Sequence, residues 1–255
     1  VRKLENFYQI PENRSGSQPI TVEVIGNLIR ITAVFRYNRR ALEPWQDSNV
    51  SQADLIEAAI IRYWSGHYRL RSDRFRGYIK AKVEVKIFRQ LIGDELYSCD
   101  AVLIKVRPLM LMPAHVISPW YRRLWGIFRT GQWESLGTNW SPCCPGIMVL
   151  PPANIRFLNW FERMSAHEAG HLFGLGDAYG ALYRYYYAAP GTKNYMMHSN
   201  RRVQPREITM LLEAHMSGKM QFFPKKWQKG TFASGFKREI EHRTRELERK
   251  LSRRN

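Results

Sequence analysis

Cysteine is scarce: Cys99, Cys143 and Cys144 are the whole supply in 255 residues. Two of them are neighbours, so at most one can bridge to Cys99, and an odd thiol remains. Buried free thiols account for them equally well. No Cys-x-x-Cys pattern occurs, which excludes a zinc ribbon. Long apolar runs are absent too. No stretch approaches the roughly 20 apolar residues that a membrane-spanning helix needs, so no transmembrane segment is expected. Acidic residues are few, 22 Asp and Glu against 40 Lys and Arg, for a net charge of +18. Such a balance favours anionic partners such as nucleic acid, acidic lipid or acidic protein, and it also serves solubility. Of this charge, the stretch Lys225–Asn255 holds eleven Lys and Arg against four Glu. The first residues, Val1-Arg2-Lys3-Leu4-Glu5-Asn6, show no apolar signal region and no initiator Met. The expectation is a secreted chain, or one released from a larger precursor.

What is present suffices for a core. The chain is 44% hydrophobic and 13% aromatic, with eight Trp, which excludes global disorder. Its length suits one sizeable domain or two small lobes around a cleft. No internal repeat or low-complexity tract interrupts it.

The segment Ile20–Tyr37 is rich in β-branched residues, with Gly26-Asn27 in its middle. It reads as a hairpin turning there, or as one long bulged strand. Ser51, with Asp54 three positions on, marks a helix start; Leu55, Ala58, Ala59, Arg62 and Tyr63 then follow helical spacing. Tyr78–Arg89 alternates apolar and charged side chains as a half-buried strand does, and Ala101–Val106 is another strand. Ile147-Met-Val-Leu150 lies among Pro and Gly and is expected at a sheet edge. A helix is expected from Asn154 or Asn159 to Phe173, stopping at Gly174. A tyrosine cluster, Tyr183–Tyr187, leads to Pro190-Gly191. Pro205 suits the first turn of a further helix, Glu207 to about Met216, ending near Gly218. Gln221–Gly235 reads as irregular, and Phe236–Leu251 as a charged helix with favourable i,i+4 pairs such as Glu239 with Arg243.

The chemistry concentrates in His167-Glu168-Ala169-Gly170-His171-Leu172-Phe173-Gly174-Leu175-Gly176-Asp177. On a helix, His167 and His171 are one turn apart and project from the same face. Two imidazoles so placed can share one tetrahedral Zn2+. Glu168 stands beside the first of them and can reach a water at the metal without binding the metal itself. Gly174 permits a left-handed turn that swings Asp177 back as a third, oxygen ligand. A bare His-Glu-x-x-His would arise by chance in a chain of this length at roughly the per-cent level. The added Gly and Asp at the required positions make coincidence far rarer.

With those residues, the segment resembles the long zinc signature of the metzincin metallopeptidases, in the variant with Asp as third ligand (snapalysin-type). Metzincins also carry a methionine-containing turn below the metal. Asn194-Tyr195-Met196-Met197-His198-Ser199 occupies that place, with Met197 as the turn methionine and Met196 as its alternative; ordinary core packing would explain either one. The resemblance implies an α+β fold: a twisted mixed sheet with a backing helix and an active-site helix, then a smaller C-terminal lobe with the Met-turn and a helix. It divides the chain into 1–174, 175–224 and a basic helical tail, 225–255. The implied activity is zinc-dependent endopeptidase cleavage of protein or peptide substrates, with Glu168 as general base. An extended substrate would pair with the edge strand expected at Ile147–Leu150, and the Tyr183–Tyr187 loop would wall one side. Two features depart from the pattern. Some metzincins place a Tyr two residues after the turn Met, where this chain has Ser199 (or His198). His198 also competes with Asp177 as a metal ligand, although a supporting or packing role suits it better.

Other functions fit parts of the sequence. The basic tail, and aromatics interleaved with arginine in Tyr121-Arg-Arg-Leu-Trp125, permit a nucleic-acid-associated protein. No recognised binding module accompanies them. A toxin or effector tethered by its basic surface fits as well. A metzincin-like domain that binds without cleaving fits less well, because Glu168 is intact.

Overall fold

A computed structural model describes residues 3–11, 18–45, 48–90, 100–107, 114–118, 122, 139–153, 157–179, 189–224, 240, 241 and 244. The tyrosine cluster, Cys99, the Tyr121–Trp125 aromatics and nearly all of the basic tail lie outside them. The fold is α+β, with one twisted mixed sheet and a few helices.

The sheet grows around β2 (Leu28–Tyr37), whose Ile29, Ile31, Ala33 and Phe35 are completely buried. β1 (Ile20–Ile25) meets it through a tight turn at Gly26-Asn27. Gly26 takes φ +61°, as the first central residue of a two-residue hairpin turn requires. The hairpin reading holds, and the single bulged strand does not. On its other side β2 pairs in parallel with β4 (Phe75–Arg89), which forms an antiparallel hairpin with β3 (Gly66–Ser72). Only the end of β2, beyond its pairing with β1, is left for β5 (Val102–Val106), again in parallel. β7 (Ile147–Leu150) follows in parallel, and β6 (His115–Ile117) closes that side antiparallel to it.

This order corrects one expectation. Ile147–Leu150 is not an edge strand, because β5 and β6 flank it on both sides. Met148, Val149 and Leu150 are all buried, so the short unbroken apolar run belongs to a strand covered on both faces. Pro145 and Pro151-Pro152 stand outside the strand and remove no ladder donor. Among the described residues the edge on this side of the sheet is β6.

A short helix, α1 (Arg39–Leu42), precedes α2 (Gln52–Trp64), which crosses over between β2 and the β3–β4 hairpin. The Ser51 hydroxyl accepts from Asp54 N while the Asp54 carboxylate accepts from Ser51 N, a complete capping box. The buried apolar side chains of α2 are Ala53, Ile56, Ala59, Ile60 and Trp64. Of the expected positions, Ala59 is buried and Leu55 and Tyr63 are half-buried against the core, whereas Ala58 and Arg62 are exposed.

Against α2 packs α3 (Leu158–Leu172). Trp64 Nε1 donates to Ala166 O at 2.8 Å, and the Trp64 ring meets Phe173 edge to face. From the opposite direction Trp140 Nε1 donates to Leu172 O, also at 2.8 Å. Both tryptophans thus anchor backbone carbonyls of α3. Beyond it come α4 (Met196–Ser199), a single turn, and α5 (Pro205–Ser217) with Pro at its start and Gly218 at its end in the left-handed region. No helix among the described residues is long and apolar enough to cross a membrane.

Candidate metal centre

The site begins with how α3 ends. Gly174 takes φ +92°, Gly174 N donates to His171 O, and Leu175 N donates to Gly170 O. Those two bonds and the left-handed glycine make a Schellman ending. A Cβ at Gly174 would also lie 2.8 Å from Ala214 Cβ and from the Trp140 ring. The reversed chain is then pinned by Gln221: Gly176 N donates to Gln221 O and Gln221 N donates to Gly174 O, each at 2.8 Å. Asp177 follows directly and faces back toward α3.

His167, His171 and Asp177 accordingly converge, with one donor atom from each within 4.8 Å of the others. Asp177 Oδ1 is 3.1 Å from His167 Nε2 and 3.4 Å from His171 Nε2. A tetrahedral ion with bonds near 2.0–2.1 Å needs ligand atoms roughly 3.3 Å apart. Such distances also suit hydrogen bonds, so the far side of each ring matters more. His167 Nδ1 donates to Met196 O and His171 Nδ1 donates to Leu175 O, both at 2.8 Å. Each ring is thereby held with Nε2 toward the common point, as ligand histidines are held by outer hydrogen bonds. The donor set fits zinc: two imidazole nitrogens, one carboxylate oxygen, and a face that is not closed over. His171 and Asp177 side chains keep 13% and 21% of their exposure, against 3% for His167.

Charge follows the geometry. Burial pulls both imidazoles toward neutrality, but the Asp177 carboxylate outweighs it, raising His167 and bringing His171 to about 9. The two imidazoles overcome the burial of Asp177 and hold it well below the usual carboxylate range. Since cation and proton compete for the same nitrogens, loading this site with a divalent ion releases protons.

Glu168 is only 4% exposed, and its Oε2 is buried with no hydrogen-bond partner among the described residues. Burial raises its pKa, offset in part by the neighbouring imidazoles. A buried orphan acceptor costs about 1–3 kcal/mol, so it is not there for stability. His115, on edge strand β6, is close enough for its charge to act on Glu168. The sequence reading did not single out His115.

Beneath the histidines lies the methionine pair. Met196 and Met197 are fully buried. A Cβ at Gly170 would lie 2.2 Å from Met197 Sδ and 3.0 Å from Trp64, so the sulfur fills the space that a side chain between the two histidines would occupy. The helical glycine is thus a packing requirement that the motif alone does not explain. Gly170→Ala should destabilise by roughly 1 kcal/mol: the overpacking penalty of about 1–3 kcal/mol exceeds the helix-propensity gain of up to about 1. A urea titration checks this, and a stabilised variant would refute the packing account.

His198 stands apart from the three converging donors. Its Nδ1 is 2.9 Å from Thr192 Oγ1 and its ring meets Tyr179 edge-on, while Tyr179 also stacks on His167. One more residue escaped the sequence reading. Glu207, fully buried on α5, accepts from Met197 N at 2.8 Å, Gln204 N at 2.6 Å and Met196 N at 3.4 Å. Its burial raises it to about 7, against the lowering effect of those amides. The signal was present as Gln204-Pro-Arg-Glu207, a capping box with Pro at the helix start, but a capping acid is ordinarily exposed.

Comparison with family models, with curated proteins and with solved structures returned no match. Cys143 and Cys144 are half-buried and have no place in the site.

Proposed function

We propose that this chain is a zinc-dependent endopeptidase of metzincin-like design, with His167, His171 and Asp177 as ligands and Glu168 as general base. The observation that carries the reading is the pairing of two features. Three donors converge, the two imidazoles among them fixed from behind, and beside them a buried carboxylate oxygen lacks a partner among the described residues.

When bound, the ion supplies Lewis-acid polarisation of the scissile carbonyl and makes water more acidic. Glu168 Oε2 accepts the proton of the attacking water as the new C–O bond forms. It then delivers that proton to the amine nitrogen as the C–N bond breaks. Burial of Glu168 raises its proton affinity against the opposing pull of the neighbouring imidazoles, which serves both transfers. An extended substrate is expected to pair with β6, the edge strand that carries His115, through its backbone groups. That role passes to β6 from Ile147–Leu150, which is already paired on both sides.

The test is metal analysis of the purified chain together with cleavage of a peptide library and sequencing of the products. One zinc per chain and internal cleavage are expected, and His167→Ala should lose both. Full zinc occupancy in His167→Ala would remove the basis of the proposal.

A further inference from the structure

The two histidines rest on carbonyls that differ in what stands behind them. His167 Nδ1 donates to Met196 O, and the N–H of that same peptide group belongs to Met197. It donates to Glu207 Oε1 at 2.8 Å. His171 Nδ1 donates to Leu175 O, and the N–H of that peptide group belongs to Gly176. It donates to the backbone carbonyl of Gln221, also at 2.8 Å. One path ends on a carboxylate and the other on a neutral amide.

Glu207 takes no part in the reaction described above, yet its side chain is fully buried. A capping role needs only the bond from Gln204 N, and such a carboxylate ordinarily remains at the surface. Here the other oxygen turns inward to the Met197 amide, on a different element. Three N–H groups converge on the two oxygens, and no oxygen of Glu207 is required to donate to them. An amide whose N–H faces a carboxylate gains electron density on its carbonyl oxygen, because hydrogen bonds in a chain polarise one another. A stronger acceptor at Met196 O holds His167 more firmly and makes its Nε2 a better donor to a cation.

We propose that Glu207 is a positioning residue for His167, acting through the Met196–Met197 peptide group. Carboxylate, peptide and imidazole form a relay that His171 lacks. Its effect on metal affinity rests on the zinc reading; the relay itself does not.

Glu207→Gln keeps the shape, removes the charge and sets an N–H donor against the converging amides. The imidazole Nδ1–H resonances are recorded in metal-free protein, above the titration range of Glu207. In the variant the His167 signal should move upfield while that of His171 stays, which a general loosening of the lobe would not produce. In a zinc titration against a competing chelator, Glu207→Gln should bind about tenfold more weakly, the lower end of the range for outer partners of a ligand. Glu207→Asp, which retains the charge, should recover part of both effects, and it provides the same two readouts if the Gln variant does not fold. An unmoved His167 signal, or equal movement of both signals, overturns the relay. Should the wild-type chain bind no zinc, the zinc reading fails, and the resonances still decide the relay.

Discussion

Glu168→Ala is expected to lose peptide hydrolysis by about 10²–10⁴-fold, the range that a positioned general base supplies, while keeping the fold and most of its zinc. The variant removes a proton carrier and leaves all three ligands in place. Stability should move the other way. Glu168 Oε2 is buried without a partner among the described residues, so its deletion relieves a desolvation cost, and the small cavity left by the side chain offsets part of that gain. Metal-free Glu168→Ala should therefore unfold at the same temperature as wild type or above it. Activity lost without stability lost is what separates a reacting group from a structural one. Turnover close to wild type would end the mechanism, whatever the thermal data show.

The Asp177 series is the second large effect, because it asks which residue completes the ligand set. Asp177→Ala leaves two imidazoles and solvent, a poor tetrahedral site, and zinc affinity should fall by more than the roughly 10–100-fold typical of outer partners. Asp177→His should restore much of the loss, since an imidazole nitrogen binds zinc at nearly the same distance as a carboxylate oxygen. Recovery should be incomplete, because the longer neutral ring meets a loop built for a short anion. His198→Ala should leave affinity nearly unchanged, as its Nδ1 is engaged with Thr192 rather than turned to the triad. Chelator competition on the three variants decides the matter. If His198→Ala loses zinc and Asp177→Ala keeps it, the third ligand lies in the methionine segment and the assignment of Asp177 falls.

The parts of this fold legible in the sequence were those written in local pattern. β4 alternates over most of its length, and α3 stops at a glycine that the Schellman geometry requires. The Ser51–Asp54 box is visible because both partners lie within one turn. What escaped was set by distant neighbours. A three-residue strand such as β6 has no period to detect, and without β6 the prolines around β7 suggest an edge. The phase of α2 was read only in part, because Ile60 and Ile61 are equally apolar and only tertiary packing buries the first and leaves the second exposed. Glu207 was unreadable for a similar reason: its capping partner is local, but Met197, which determines its burial, is on another element. Gly170 looked like a neutral filler in the motif until the Met197 sulfur was placed against it.

The pinning of the Gly174–Gly176 turn by Gln221 has a consequence for the order in which the chain is completed. During synthesis from the N-terminus, α3 and its two imidazoles leave the ribosome well before Gln221 does. Until that residue pairs with Gly174 and Gly176, the turn that carries Asp177 lacks two of the backbone bonds that fix it. Two imidazoles on an incomplete site hold a cation poorly, and the contact that completes it is long in sequence and so late to form. On the proposed zinc reading, capture of the ion is then a closing event and not a nucleus. A nascent chain halted before α5 would carry the whole motif and still bind little metal.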